Sequence, residues 1–425
     1  MKRRLLSIFA SPFFMAGAAL FIRLATIAFF RTYEIPPDQD HYSFAWEAGR
    51  VARAIALGEG FSNPYQVHTG PTALLPPVFP YLLALIFKVF GIYSTASAVA
   101  ILTINSVFSA LVCVVVYRIA QESFGFKVAI LAGWLWALYP YSIYCTARSI
   151  WETNLSVLLM STLFWMTLRL EQGRSTRAWL GYGVLWGVTA LTNPAILSVL
   201  PFLAAWLIVR HRKRGSGCVR QLAACAALIM VFVIPWTVRN FLTFGQVIPM
   251  RSGLGLELHV GNHATDETLY AVDLLPLNNA KELARFAQAG EIAYMAEKRQ
   301  EALEWIAENP GRFVWLSCRK ALYLWTHAWS IPQTKGYSLA VGLMGIAVIS
   351  SISLLALHGL AAAFRECGHL ATPYLLVMLV YPTIYALTHP MLRFRHPIDP
   401  MVLVLVAFSL WRIWDRLRAK ASGQQ

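Results

Sequence analysis

Residues able to do chemistry are sparse in this 425-residue chain, in which only 13% of positions are charged. They gather in four places. Positions 31–75 hold Glu34, Asp38, Asp40, Glu47 and Glu59 with Arg50 and Arg53; Arg148 and Glu152 stand one helical turn apart; Arg239 and Asn240 follow Pro235 and Trp236; and HPMLRFRHPIDP carries His389, Arg393, Arg395, His396 and Asp399. A carboxylate can remove a proton from a hydroxyl or amine, and arginine forks bind phosphate oxygens bidentately while keeping their charge. Acids from one segment and arginines from others therefore suit group transfer from a phosphate ester, where a base activates the acceptor and cations hold the departing phosphate. Each feature also has a plainer role. Loop acids are usually solvated, and arginines at a membrane pair with local acids or lipid headgroups.

The elements that must position these residues are greasy helices. Hydrophobic residues make up 57% of the chain, which soluble domains of this size do not show. Apolar runs at 5–30, 128–144, 222–236, 339–357 and 401–411 approach the ~20 residues a helix needs to cross hydrocarbon, and they lack the alternation of barrel strands. The expected fold is an all-α polytopic membrane protein, with residues 1–425 as one transmembrane domain. The formal net charge of +15 sits in short clusters beside apolar runs, which fits an anionic lipid surface and not nucleic acid. Lys2, Arg3 and Arg4 before a long apolar segment read as a retained signal anchor. Arg23, inside that segment, is expected to snorkel. The six cysteines show no CxxC spacing, so neither a disulfide framework nor a zinc site is expected.

Basic loops assign sides. Segments 2–4, 169–177, 210–220 and 412–420 are expected to be cytoplasmic, which puts Glu152 and two polar pieces, 31–75 and 236–312, outside. Two further apolar segments break the parity if they cross. Segment 76–90 has only about ten residues beyond Pro80, and segment 313–329 carries Arg319 and Lys320 at its middle, each costing ~2.5 to 3.5 kcal/mol at bilayer centre. Both read as juxtamembrane or re-entrant helices, leaving about ten spans with both termini inside. Within the second outer piece, 281–308 has the pattern of an amphipathic helix lying on the membrane.

Taken in order, WEAGRVARAIALGEGFSNPY, GPTALLPPVFPYLLALIFKVFG, LWALYPYSIYCTARSIWETN, PWTVRNFLTFGQVIPMRSGLGLELHVGN, EALEWIAENPGRFVWL and LRFRHPIDP resemble the GT-C superfamily. Within it, they resemble the bacterial glycosyltransferase family 39-like group related to protein O-mannosyltransferases and the lipid A aminoarabinose transferase. The resemblance implies a GT-C-type transmembrane bundle with two extracytoplasmic loops bearing juxtamembrane helices. It implies an inverting transfer of sugar from a polyprenyl-phosphate carrier to a glycan, lipid or protein acceptor, through a hydroxyl or amine, at the outer face of a bacterial inner membrane. A signature acid in the first outer loop corresponds to Glu47 or Asp40, and Glu152 to a second acid. Arg393 and Arg395 match a basic late loop that holds the carrier phosphate, with Arg239, His396 and Arg148 as further phosphate contacts. No cofactor is demanded, and a divalent metal stays open. With so short a tail, the acceptor is expected to be recognised by the two outer loops alone. The alternatives are a polyprenyl-diphosphate oligosaccharide ligase or polymerase, and a lipid-linked sugar transporter, although the paired broken helices expected of a transporter are not evident.

Overall fold

The computed structural model describes residues 8–35, 44–173, 175–263, 269–327 and 339–422; Asp38 and Asp40 lie outside the described residues. The described chain is helical, with a single bridge between Ser62 and Pro71 as its only extended pairing. It is a multi-pass membrane protein. Six helices are long and apolar enough to cross a bilayer, and a seventh crossing follows if α5 (Phe126–Ala137) and α6 (Pro140–Arg148), bent by 41°, form one broken span.

Charge parity calls for about ten crossings, more than length and apolarity deliver, and packing explains the difference. α7 (Thr153–Glu171) and α8 (Thr176–Ala190) bury Ser156, Ser161, Thr167 and Thr189 against neighbouring helices. Ser161, Thr167 and Thr189 return their hydroxyls to carbonyls four residues back, so polar residues stand where helices meet and lower the apolarity of both segments. α15 (Leu339–Leu387) is two helices merged across a non-helical Cys367.

The two segments that break parity are short. α3 (Val78–Phe90) has 13 residues and α14 (Pro310–Thr326) has 17. Neither is among the helices long and apolar enough to span. Lys320 of α14 is buried and donates to Asn262 Oδ1 at 2.9 Å; burial pulls its ammonium down to about 7. The amphipathic stretch is likewise two helices, α12 (Ala280–Ala289) and α13 (Glu291–Glu308), divided where Gly290 takes φ 78°. Its Phe286 and Met295 are buried against Tyr65, Leu74, Leu256 and Val260, so this face covers the first polar segment and does not lie free on a lipid surface. α10 (Val219–Phe244) runs on through Pro235 and carries Arg239 within it.

The centre of the bundle is α17 (Asp399–Ala421), where every residue from Asp399 to Ser409 is buried. A helix surrounded by others must be apolar all round, and the run MVLVLVAF supplies that. Gly359 of α15 lies so close to the Leu405 carbonyl that any β-carbon there would collide with it. α1 (Pro12–Phe30) shows the lipid-facing arrangement: Met15, Ala19, Arg23 and Ile27 make its buried stripe, while Phe13, Phe21 and Phe29 are exposed.

Arg23 does not snorkel. It is fully buried. Nε donates to Ser109 Oγ at 2.9 Å, Nη1 to the Ala19 and Ala137 carbonyls at 3.0 and 3.1 Å, and Nη2 to the Trp136 carbonyl and Ser142 Oγ at 3.4 and 3.0 Å. Pro140 has no N–H to donate to the Trp136 carbonyl four residues back, and that carbonyl accepts the Tyr139 N–H at 3.2 Å as well as Arg23 Nη2. Arg23→Met is expected to lower stability in detergent by roughly 1–3 kcal/mol for each acceptor left unpaired. Arg23→Lys should recover little, because an ammonium has three donors and no planar fork. Thermal melting of purified protein checks this; unchanged midpoints would remove Arg23 from the fold's support.

Candidate active site

The polar segments, the end of α15 and the start of α7 enclose a cavity of about 430 Å³. Its charged wall consists of Glu47, Glu152, Arg251, Glu257, His389 and Arg393, and its aromatic wall includes Trp46, Tyr65, Trp151, Tyr270, Tyr385 and Phe394.

Both expected acids within the described residues face this space from helix starts. Glu47 opens α2 (Glu47–Leu57), and Glu152 precedes α7, its carbonyl accepting the Ser156 N–H at 2.8 Å. A carboxylate is favoured at the positive end of a helix. Glu47 is aimed by an uncommon backbone, since Ala45 and Trp46 have φ 68° and 43°. Non-glycine residues hold such angles at ~1–3 kcal/mol each and only where their surroundings over-determine them. Here Phe44 packs against Phe87 and Tyr93, and the Trp46 ring meets Trp151 edge-on at 5.6 Å.

Trp151 also carries the arginine. The Arg393 guanidinium lies 3.8 Å from its ring centroid and 5.1 Å from that of Phe394, and its Nε has no hydrogen-bond partner among the described residues. Arg251 differs, because its Nη2 donates to Glu257 Oε1 at 2.6 Å. The other Glu257 oxygen lies 3.0 Å from His389 Nδ1, and the His389 ring stacks on Tyr270 at 4.3 Å.

The two inner carboxylates are pushed in opposite directions. Burial raises Glu47 above its ordinary value, with its own backbone N–H, Arg50 and Arg393 offsetting part of the rise and Glu257 adding to it. Burial also acts on Glu257, but His389, Arg251 and Arg393 outweigh it and hold that carboxyl low. His389 is pushed down by burial, with Glu257 opposing the fall and Arg393 adding to it. Carboxylates separated in this way take different roles: the raised one suits proton transfer, and the depressed one stays ionised as an anchor.

Four of the expected phosphate contacts stand elsewhere. Arg395 and His396 are buried in the bundle, where Arg395 Nε lies 3.0 Å from Asp399 Oδ1, and His396 Nδ1 2.9 Å from Asp399 Oδ2. Positions two apart on a helical turn face nearly opposite ways, which is why Arg393 enters the cavity and Arg395 leaves it. Arg239 is a structural clamp, donating to the Thr72 and Phe61 carbonyls at 2.7 and 2.9 Å. Arg148, exposed at the end of α6, does not line the cavity. Arg251 and Glu257 are the residues that sequence reasoning passed over, although both lie in MRSGLGLELHVGN, a stretch whose two basic or acidic positions are its only charges. Among the described residues no three of His, Cys, Asp and Glu group as metal ligands.

Residues 75–238 match the family model of dolichyl-phosphate-mannose-protein mannosyltransferases. No curated protein matches the chain in sequence. Among solved structures, the Archaeoglobus fulgidus oligosaccharyltransferase AglB, in complex with an inhibitory peptide and a dolichol-phosphate, is similar over 96% of this chain at a TM-score of 0.55 and 13% identity. The apo form of the same enzyme gives 0.52 at 12% identity, again over 96% of this chain. The chain spans about half the length of that enzyme, 51%. ArnT from Cupriavidus metallidurans bound to undecaprenyl phosphate is similar over 94% of this chain and 77% of its own, with a TM-score of 0.41 and 14% identity. The chain therefore shares its helical fold with that oligosaccharyltransferase, and its residues 75–238 are similar to the dolichyl-phosphate-mannose-protein mannosyltransferases.

Proposed function

We propose that the chain moves a sugar from a polyprenyl-phosphate carrier to an acceptor hydroxyl or amine, with inversion at the anomeric carbon. The observation that carries this reading is the meeting of Glu47, Glu152 and Arg393, from three separate segments, on one cavity of about 430 Å³. The family model matched at 75–238 is of enzymes named for a phosphate-linked isoprenoid donor, which favours a monophosphate over a diphosphate carrier. The acceptor oxygen or nitrogen attacks the anomeric carbon opposite the phosphate. Its proton passes to Glu47, and the electron pair of the breaking carbon–oxygen bond stays on the phosphate. Arg393 meets that charge, because an aromatic face holds it in place and leaves its N–H groups for oxygen. Arg251, on the same cavity wall, is a second cation for that oxygen. Glu152 orients the acceptor. Asp40 is the other acid able to serve as base. The cavity faces the extracytoplasmic side of a bacterial inner membrane with both termini inside, a placement supported by the basic loops at 169–177 and 210–220.

Purified protein given a radiolabelled polyprenyl-phosphate sugar tests the assignment. Glu47→Gln should lower transfer by roughly 10²–10⁴-fold with the fold retained. Wild-type transfer by both Glu47→Gln and Asp40→Asn would sink the base assignment, and turnover only with a diphosphate donor would replace the carrier.

The pH profile gives an independent reading. Transfer needs ionised Glu47, so the rate should fall as pH drops through a pKa above the ordinary 4.5. The limb should vanish in Glu47→Gln, whereas a limb unchanged in that variant would show that another group titrates.

Arg393→Ala should weaken donor binding roughly ten- to hundredfold, as for a lost charged hydrogen-bond donor. Arg239→Ala should lower stability and leave donor affinity near wild type. Equal loss of affinity in both variants would remove the distinction between them.

A further inference from the structure

A second cavity, of about 370 Å³, lies between α9 (Leu200–Lys213) and the second half of α15, and shares no residue with the first. Along α9 its wall is Phe202, Ala205 and Val209, then Arg210 and Lys213. These positions recur at helical spacing, so they form one face of the helix. Along α15 the wall is Leu376, then Thr372 and His369. Trp206 Nε1 donates to the His369 carbonyl at 3.2 Å, which fixes the register of two helices running in opposite directions. The consequence is that both walls change from apolar to polar towards the same end. From Phe202 to Lys213 the face is about 16 Å long.

The polar end carries excess positive charge. Arg210 and Arg214 both reach Glu171, at 2.8 and 2.9 Å. Lys213 is exposed and makes no ion pair among the described residues. One carboxylate thus faces three cations at the mouth. The apolar end is open, with Phe202 46% and Val209 50% exposed. A soluble anion would leave the apolar walls unused, and a neutral lipid would leave the cations unmatched.

We propose that this groove binds one anionic phospholipid, with its phosphodiester at Arg210, Lys213 and His369 and an acyl chain along Phe202, Ala205 and Leu376. Basic pockets between spanning helices select anionic headgroups in this way, each lysine or arginine contributing ~1 kcal/mol. The site is independent of the transfer reaction.

The test uses the delipidated full chain in detergent, titrated with phosphatidylglycerol, phosphatidylcholine or undecaprenyl phosphate, and followed by native mass spectrometry and thermal melting. Wild-type protein should retain one phosphatidylglycerol and melt higher with it, and should do neither with phosphatidylcholine. Lys213→Gln should bind phosphatidylglycerol about fivefold more weakly. Ala205→Trp, which fills the groove from an exposed position, should abolish retention while leaving the lipid-free melting unchanged. Equal phosphatidylglycerol binding by wild type and both variants would overturn the proposal. So would binding of undecaprenyl phosphate alone that depends on Lys213, because the occupant would then be the carrier lipid.

Discussion

Arg23 sets all five of its N–H groups on acceptors from four helices, two of them carbonyls at the end of α5, where Pro140 begins a new helix. A proline in a spanning helix leaves backbone oxygens short of donors in a medium that offers no water. The guanidinium bonds the Trp136 and Ala137 carbonyls at this break, where α6 turns away from α5 by 41°. That turn delivers the chain to Ser149, whose carbonyl is held by Asn105 Nδ2 at 3.2 Å, and so to Trp151 and Glu152 at the cavity wall. Remove the donor and the cheapest response is to straighten or loosen the break, which moves the residues that follow it.

Trp151 then organises the charges. It receives Trp46 edge-on and Arg393 face-on, so the acid on the first polar segment and the arginine on the late loop are referred to a single ring. An aromatic face holds a cation without neutralising it. A carboxylate partner would have fixed Arg393 equally well and spoiled it for phosphate. Arg251 shows that second outcome, being held by Glu257, whose other oxygen faces His389. The cavity therefore has one cation held by aromatic rings and another paired with a carboxylate.

Membrane residence, the helical class and the places where acids and arginines gather were all legible, because they follow from composition and from charge standing against the expected bias. Glu47, Glu152 and Arg393, singled out in the sequence, line one cavity. What sequence could not show is which way a side chain points after a break. Arg395 and His396 sit beside Arg393 in the chain, yet one helical turn sends them to Asp399 in the bundle. Arg239 looks like a phosphate ligand until the Thr72 and Phe61 carbonyls are found at its ends. Arg23 reads as a snorkelling residue because its acceptors are backbone oxygens and hydroxyls distant in sequence. The backbone at Ala45 and Trp46 is invisible for another reason, since nothing about an alanine or tryptophan announces a left-handed angle.

Length and apolarity find fewer spans than charge parity for a related reason. Apolarity identifies helices that touch lipid, whereas α7 and α8 touch other helices and place serine and threonine between them. The cavity itself depends on a comparable hidden contact between the two polar segments. The Glu291 carboxylate, at the start of α13, takes the Thr72 hydroxyl, the Ala73 N–H at 2.8 Å and the Ser252 hydroxyl at 2.7 Å. Arg239 grips the Thr72 carbonyl from the other side, and the Ser252 N–H closes on the Ala73 carbonyl at 2.9 Å. Burial raises the Glu291 carboxyl, and these donors offset part of the rise, so the ion is tolerable only while both segments are in place. Leu74 and Leu75 of the first segment and Arg251 and Glu257 of the second flank this latch and line the cavity. The two segments thereby bring Glu257 near enough to add to the rise at Glu47, while Arg251 of its own segment and His389 and Arg393 of the late loop hold Glu257 low.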